Sequence, residues 1–132
     1  QRWITKLIYK ALAKKGVIKK VLEIAYPTKV NVDSEIVDIL YSATQSANAD
    51  ESFRGFINLF NDRLAPDILE NLTTPVHLIW GEKDPWEPVE QAKQWVKINC
   101  VESIEILQEL GHCPHDEAPE TVNSKILTLT LN

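Results

Sequence analysis

The spacing of apolar residues divides the chain into a helical first part and a mixed second part. Up to residue 72, apolar side chains recur every three or four positions, the interval that places them on one face of an α-helix. Five helices are predicted on this basis, the fifth from Asp67 to Leu72. The apolar positions of the other four are Ile4, Leu7, Ile8, Ala11 and Leu12; Val17, Val21, Leu22 and Ile24; Ile36, Val37, Leu40 and Tyr41; and Phe53, Phe56, Ile57, Leu59 and Phe60.

Residues that cap or break helices predict where these helices begin and end. Glycine is the usual residue just beyond a helix C-terminus, so Gly16 is expected to close the first helix. Proline cannot continue a helix, and Pro27 is expected to stop the second. Asp33 or Ser34 can cap the third helix and Asp50 the fourth, because their side-chain oxygens accept hydrogen bonds from free backbone N–H groups.

After residue 75 the pattern changes to strands that alternate with helices. Val76–Trp80 is a short apolar run that ends at Gly81, which is typical of a buried parallel strand. Ser103–Leu107 is a second such run. The segment between them is predicted to be helical from Pro88, which suits the first turn of a helix.

Pro119 is expected to open a last helix, with Val122, Ile126 and Leu129 on one face. The end of this segment, residues 126–131, also alternates in the manner of a strand. A helical block followed by the order strand–helix–strand–helix predicts an α/β fold.

Two features indicate that further sequence belongs to this fold. A parallel sheet of two strands has open edges and cannot bury both of its faces well. The chain also begins at Gln1 and contains no methionine, whereas translation starts with methionine. We therefore expect an internal or C-terminal piece of a longer protein. Removal of an initiator methionine and a tag is the alternative.

The charge of the chain excludes one class of partner. With 19 acidic and 14 basic residues the net charge is −5, which argues against non-specific binding of nucleic acids, because that needs a basic surface. Six lysines within the first 20 residues interleave with apolar residues, which fits either a solvated helix face or a helix on a membrane surface. The apolar runs are too short to span a membrane. Cys100 and Cys113 form no CxxC motif and are compatible with reduced thiols.

Two side chains that could carry chemistry follow the two predicted strands. Asp84 lies three residues after Gly81, and His112 directly follows Gly111. Functional groups of parallel sheets collect at the carboxyl ends of the strands, and a separation of 28 residues fits two neighbouring strand ends. A carboxylate can orient an imidazole that exchanges protons near neutral pH. Gly111 is expected to let the loop turn tightly, so that the ring faces the carboxylate. The alternatives are an aspartate that only forms a turn before Pro85 and a solvated loop histidine.

A metal site in the same loop is a further hypothesis. Ligand groups lie close together at His112, Cys113, His115 and Asp116. Pro114 interrupts this segment and the sequence has no second cluster of ligands, so neither a metal ion nor a cofactor is expected.

Two other titratable residues are given structural interpretations. Glu117 is expected in the first turn of the last helix, where a negative charge interacts favourably with the helix dipole. His77, in the middle of the first predicted strand, is expected to have a structural role.

The sequence around Asp84 and His112 resembles the C-terminal part of α/β-hydrolase-fold enzymes, whose catalytic residues follow the order serine, aspartate, histidine. It is also similar to the pheophytinase and chlorophyll-dephytylase group of plants and cyanobacteria. The segments that carry the resemblance are Gly81-x-x-Asp84-x-x-x-Pro88 and Gly111-His112-x-x-x-x-Glu117-x-Pro119.

This resemblance implies that residues 1–72 form a helical cap and residues 73–132 the C-terminal strand–helix–strand–helix part of the hydrolase core, with its parallel sheet. By the resemblance, Asp84 is the triad acid and His112 the base in the hydrolysis of a small hydrophobic ester, and Trp86 contacts the substrate. A cytoplasmic or plastid-like soluble compartment is expected. Aromatic side chains of the cap are expected to line an apolar cleft, or else to pack in the core: Trp3, Tyr41, Phe53, Phe56 and Phe60.

The nucleophile of such an enzyme is missing. No Gly-x-Ser-x-Gly motif occurs in the sequence, so the serine and the oxyanion-hole loop are expected in the N-terminal half of the same fold or in a companion chain. The chain alone is therefore expected to be inactive. Two alternatives stay open. The nucleophile could be an aspartate, as in haloalkane dehalogenases and epoxide hydrolases, or the chain could be a non-enzymatic helical interaction module or an inactive hydrolase-derived fragment.

Overall fold

In the described part of the chain, five helices precede two strands that alternate with helices. The computed structural model describes residues 2–59 and 65–130. The first part contains α1 (Arg2–Leu12), α2 (Lys15–Ala25), α3 (Ser34–Thr44), α4 (Ala49–Leu59) and α5 (Ala65–Leu69). The second part contains β1 (Val76–Gly81), α6 (Val89–Trp95), β2 (Val101–Leu107), α7 (Pro114–Glu117) and α8 (Pro119–Thr130). None of these described helices has both the length and the apolar content needed to cross a membrane.

Two of the helix boundaries predicted for the helical part are confirmed. Asp33 caps α3, because its carboxylate accepts a hydrogen bond from the backbone N–H of Ile36 at 3.0 Å. The helix α2 ends at Ala25, two residues before Pro27. The turn between α2 and α3 therefore starts where the sequence predicts it.

The prediction for Gly16 is wrong. The first helix ends at Leu12, and Gly16 lies in the first turn of α2. A glycine that closes a helix usually takes a positive φ, and none of the described glycines does. Asp50 is also inside its helix, one residue after the start of α4 at Ala49, rather than at the cap.

Two other helical predictions differ in extent. The fifth helix ends at Leu69 instead of Leu72, and the chain continues as a turn in which the N–H of Leu72 donates to the carbonyl of Leu69 at 3.1 Å. The predicted apolar position Phe60 of the fourth helix lies outside the described residues.

The two strands pair in parallel, as predicted, and α6 connects them. Leu78 lies opposite Ile104, and Trp80 lies opposite Ile106. The ring of Trp80 packs edge-on against Trp95 of α6, with 5.4 Å between the ring centroids. The carboxyl ends of both strands therefore reach the same edge of the sheet.

The C-terminal segment is helical. The last helix, α8, begins at Pro119 as predicted and continues to Thr130, so the strand-like alternation over these positions is not realised. A short helix that was not predicted, α7, precedes it. Pro114 opens α7 and Pro119 opens α8, and Glu117 is consequently the last residue of α7. Its expected place in the first turn of the last helix is wrong.

Among the described residues, the buried side chains form three small clusters rather than one core. The apolar side chains in the middle of both strands are only half-buried, and α1 leaves 67% of Trp3 and 59% of Leu7 exposed. Exposed apolar surface of this extent is uncommon on an isolated domain, which fits the larger sheet expected from the sequence. The clusters contain Leu22, Ala25, Tyr26 and Val37; Leu69, Cys100 and Val101; and Leu107, Leu110 and Val122.

Candidate active site

The loops that follow β1 and β2 lie side by side and are joined by backbone hydrogen bonds. The N–H of Glu82 donates to the carbonyl of Leu107 at 2.9 Å, and the N–H of Lys83 donates to the carbonyl of Leu110 at 2.8 Å. These bonds continue the contact between the strands beyond the sheet. As a result, the turn after β1 lies against the segment that carries His112.

The carboxylate of Asp84 uses its two oxygens for two different purposes. Oδ1 accepts hydrogen bonds from the backbone N–H groups of Trp86 and Glu87, both at 3.0 Å. Oδ2 lies 2.9 Å from Nδ1 of His112. From the sequence, Asp84 could either form a turn or face the histidine, and in the structure it does both. The two hydrogen bonds to Oδ1 hold the carboxylate in the turn, and only 6% of the side chain is exposed. Together they fix the direction of Oδ2.

The imidazole of His112 lies between Asp84 and Trp86. The ring of Trp86 packs edge-on against it, with 4.7 Å between the centroids and an interplanar angle of 76°. With Asp84 as a carboxylate, Nδ1–H is the donor in the contact with Oδ2, and in the neutral ring this makes Nε2 the nitrogen without a proton. The His112 side chain is 40% exposed. The ring is therefore oriented on one side and accessible on the other.

Two glycines are required by the close approach of three backbone segments. A Cβ atom on Gly81 would lie 2.0 Å from the carbonyl oxygen of Gly111. A Cβ atom on Gly111 would lie 2.2 Å from the carbonyl oxygen of Ala25 and 2.3 Å from Cδ of Pro27. The expectation that Gly111 is needed for a tight turn is thus corrected: its φ is not positive, and what it provides is space.

Glu117 ends α7, the short helix that follows His112, and was not identified as part of the site from the sequence. It is buried and accepts a hydrogen bond from the backbone N–H of Gly111, directly before His112. It also accepts from Thr28, which lies 89 positions away in the sequence. A single sequence carries no signal for a contact of that separation.

Tyr26 is a second buried group beside this loop. Only 6% of it is exposed, and its hydroxyl lies next to Asp116 and Cys113. Burial, and then the neighbouring side chains of Asp116 and Cys113, raise the pKa of Tyr26 above its ordinary value. The phenol therefore stays neutral under conditions in which an exposed tyrosine ionises.

The other histidines lie apart from this pair. His115 is exposed, and the described residues contain no group of three or more His, Cys, Asp or Glu side chains that could hold a metal ion. His77 points Nδ1 at the hydroxyl of Ser103, 2.9 Å away on the neighbouring strand. Its predicted structural role is compatible with this cross-strand contact.

The aromatic side chains of the helical part differ in their surroundings. Phe53 packs against Tyr9 with 5.4 Å between the ring centroids, and Tyr41 lies under the ammonium group of Lys15 at 5.4 Å. Trp3 and Phe56 are largely exposed, whereas Phe60 lies outside the described residues. Their expected place in a substrate cleft stays a prediction.

Comparison with curated proteins identifies hydrolases as relatives. The chain is 28% identical over 115 residues to the uncharacterized hydrolase YugF of Bacillus subtilis, which covers 87% of this chain and 42% of YugF. It is 30% identical over 128 residues to the chloroplastic pheophytinase of Arabidopsis thaliana, which covers 91% of this chain and 26% of that protein. The chain thus spans less than half the length of either relative. No protein-family model matches it.

Solved structures show which fold these residues share. A serine hydrolase involved in carbazole degradation, CarC, superimposes with a TM-score of 0.78 at 15% identity, over 91% of this chain and 48% of CarC. A variant of the meta-cleavage product hydrolase CumD gives a TM-score of 0.72 at 16% identity, over 87% of this chain and 45% of CumD. The curated relatives are therefore hydrolases, and the chain has about half of the α/β-hydrolase fold.

Proposed function

We propose that this chain supplies the acid and the base of a serine-type hydrolase that cleaves an ester with a hydrophobic portion. The observation that supports this most strongly is the 2.9 Å contact between Oδ2 of Asp84 and Nδ1 of His112, at the carboxyl ends of two paired parallel strands. This is the position where ligands bind in open α/β sheets. The hydrolases among the relatives and the shared fold add to it.

In the proposed reaction, His112 transfers one proton in each of two steps. Nε2 accepts the proton of the serine hydroxyl while the serine oxygen attacks the ester carbonyl, and it returns that proton to the departing alcohol. A water molecule then gives a proton to Nε2 and attacks the acyl-enzyme, and the serine recovers the proton when the acid leaves. Asp84 holds the tautomer of His112 and stabilises the imidazolium in both steps. The two N–H groups on Oδ1 keep the carboxylate in place throughout.

The serine and the oxyanion-hole donors would come from residues outside this chain. No Gly-x-Ser-x-Gly motif occurs in it, and the relatives are more than twice its length. In this proposal residues 1–72 are the cap and residues 73–132 the end of the core, and the N-terminal half of the same fold or a companion chain completes the site. The chain alone is inactive, because neither the covalent step nor the oxyanion stabilisation is available to it.

The preference for a hydrophobic substrate follows from the surface next to His112. Trp86 contacts the imidazole and is 47% exposed, so its free face can pack against an apolar group of the ester. Pockets for small molecules are lined mainly by such side chains. A cytoplasmic or plastid compartment is part of the proposal, and the chloroplastic relative supports the plastid alternative.

The test distinguishes a serine nucleophile from an aspartate nucleophile. The longer protein that contains this chain is treated with a serine-directed fluorophosphonate and assayed with p-nitrophenyl esters of increasing acyl length. We expect covalent labelling, ester turnover that rises with acyl length, and loss of turnover in the labelled protein. Turnover of a haloalkane or an epoxide without labelling would instead indicate an aspartate nucleophile. Ester turnover by the 132-residue chain alone would contradict the division of the site between two segments.

A further inference from the structure

The buried carboxylate of Glu117 joins the loop between β2 and α7, residues 108–113 (the His112 loop), to the helical part of the chain. Glu117 is 8% exposed, and both of its oxygens accept hydrogen bonds. Oε2 accepts from the backbone N–H of Gly111 at 2.5 Å. Oε1 accepts from the hydroxyl and the backbone N–H of Thr28, at 2.7 and 3.3 Å. One side chain thus holds both the residue before His112 and the turn that follows α2.

Backbone contacts seat the same loop against the same turn. The N–H of His112 donates to the carbonyl of Ala25 at 2.9 Å, and the side-chain amide of Asn31 donates to the carbonyl of Asp116. The imidazole itself is not enclosed, since 40% of the His112 side chain is exposed. Its orientation therefore depends on how firmly the backbone of this loop is held.

We propose that Glu117 is a positioning residue that keeps Nδ1 of His112 within hydrogen-bond distance of Asp84. It touches no reacting atom, and its importance for catalysis rests on the proposed function of His112 as the base. A carboxylate is costly to bury unless donors satisfy it, and three donors from two separate parts of the chain do so here. Because Thr28 belongs to the helical part and Gly111 to the loop, the seating of the helical part and the orientation of the base are linked.

The substitution Glu117→Gln tests the acceptors without changing the shape of the side chain. Glutamine has one acceptor oxygen and one donor amide. If its oxygen faces Gly111, the amide meets the N–H of Thr28; if its oxygen faces Thr28, the amide meets the N–H of Gly111. One N–H loses its acceptor in either orientation: that of the exposed Thr28 in the first, and that of the buried Gly111 in the second. The matched control is Glu120→Gln, which removes an exposed carboxylate from the first turn of α8.

The measurement is an NMR spectrum of the ¹⁵N-histidine-labelled chain. The signal of His112 Nδ1–H at low field and the ¹⁵N shifts of the ring report the bond to Asp84 and the tautomer, and circular dichroism reports folding. The wild type and Glu120→Gln should show the Nδ1–H signal. Glu117→Gln should lose it and shift toward the tautomer mixture of free imidazole, while the helix content stays unchanged.

Three results would overturn the positioning role. The first is a folded Glu117→Gln chain that keeps the Nδ1–H signal, and the second is a wild type that lacks the signal. If Glu117→Gln does not fold, Thr28→Val decides, because it removes one hydroxyl donor and leaves the bond to Gly111. A weaker Nδ1–H signal in that variant supports the proposal, and a signal equal to the wild type is the third contradicting result.

This readout does not depend on turnover. If the longer protein hydrolyses no ester, the proposed function fails and the NMR result still decides whether Glu117 positions His112. If it is active, Glu117→Gln should lower kcat by about 10- to 100-fold with little change in KM, since a small displacement of a catalytic group has effects of this order. An equal loss in Glu120→Gln would show that only net charge matters.

Discussion

The substitution Gly111→Ala tests the close packing that seats the His112 loop. The added Cβ would lie 2.2 Å from the carbonyl oxygen of Ala25 and 2.3 Å from Cδ of Pro27, whereas ordinary contact begins at 3.4 Å. Neither atom belongs to the end of a flexible side chain, so the two backbone segments must separate by about 1 Å. Overpacking of this kind costs about 1–3 kcal/mol. We expect the free energy of unfolding to fall by about 2–3 kcal/mol, at the upper end because backbone must move.

Two other glycines provide matched controls for the same change. Gly16 and Gly55 lie in helices, and a Cβ at either position would meet no atom within 4 Å. Alanine is favoured over glycine in a helix interior by roughly 0.5–1 kcal/mol, so both control variants should be at least as stable as the wild type. Urea unfolding followed by circular dichroism gives the three differences from the shift in midpoint at constant slope. A Gly111→Ala variant within 0.5 kcal/mol of the wild type, about the scatter of neutral surface substitutions, would refute the packing argument.

Three further predictions concern the pKa of a buried tyrosine, a helix cap and the acid of the pair. The pKa of Tyr26 is raised in the folded chain, so the phenol stays neutral at a pH where the unfolded chain ionises it. The free energy of unfolding is therefore unaffected below about pH 10, and above it falls by at most about 1.4 kcal/mol per pH unit. Tyr26→Phe should remove this loss. The test is urea unfolding of both chains from pH 9 to 11, which brackets the ordinary tyrosine pKa of about 10; a difference in the free energy of unfolding that stays constant over this range would contradict the prediction. Asp33→Ala should lower the free energy of unfolding by about 1 kcal/mol through the lost bond to Ile36, whereas Asp33→Asn should keep most of it; equal losses in both variants would exclude the cap as the cause. Asp84→Asn should preserve the turn but present an amide to Nδ1 of His112, which favours the wrong tautomer, and kcat of the longer protein should fall by about 10³–10⁴-fold; a loss under tenfold would argue against Asp84 as the acid.

Local sequence patterns were sufficient to predict the pairing at the sheet edge. Each strand is a short apolar run that ends near a glycine, and parallel pairing brings both ends to one edge. The contact of Asp84 with His112 follows once the helix between the strands is recognised. The capping role of Asp33 also depends only on residues three positions apart.

The contacts that join the loop to the helical part could not be predicted in this way. The acceptor role of Glu117 depends on Thr28, far away in the sequence, and the need for glycine at position 111 depends on Ala25 and Pro27. Gly16 was misassigned for the opposite reason, because its local signal suited a helix end while the chain turns earlier, after Leu12. Tertiary packing decides all of these positions.

If His112 is the base of a hydrolase, its loss must lower turnover far more than the loss of a neighbouring histidine. In the proposed longer protein, kcat for a p-nitrophenyl ester is measured for His112→Ala and for His115→Ala, which removes an exposed imidazole three residues further along, in α7. We expect His112→Ala to lower kcat by at least about 10³-fold. His115→Ala should leave kcat within about twofold of the wild type, because substitution of an exposed side chain perturbs the fold little. Equal activity of the two variants, or a larger loss in His115→Ala, would show that His112 is not the base.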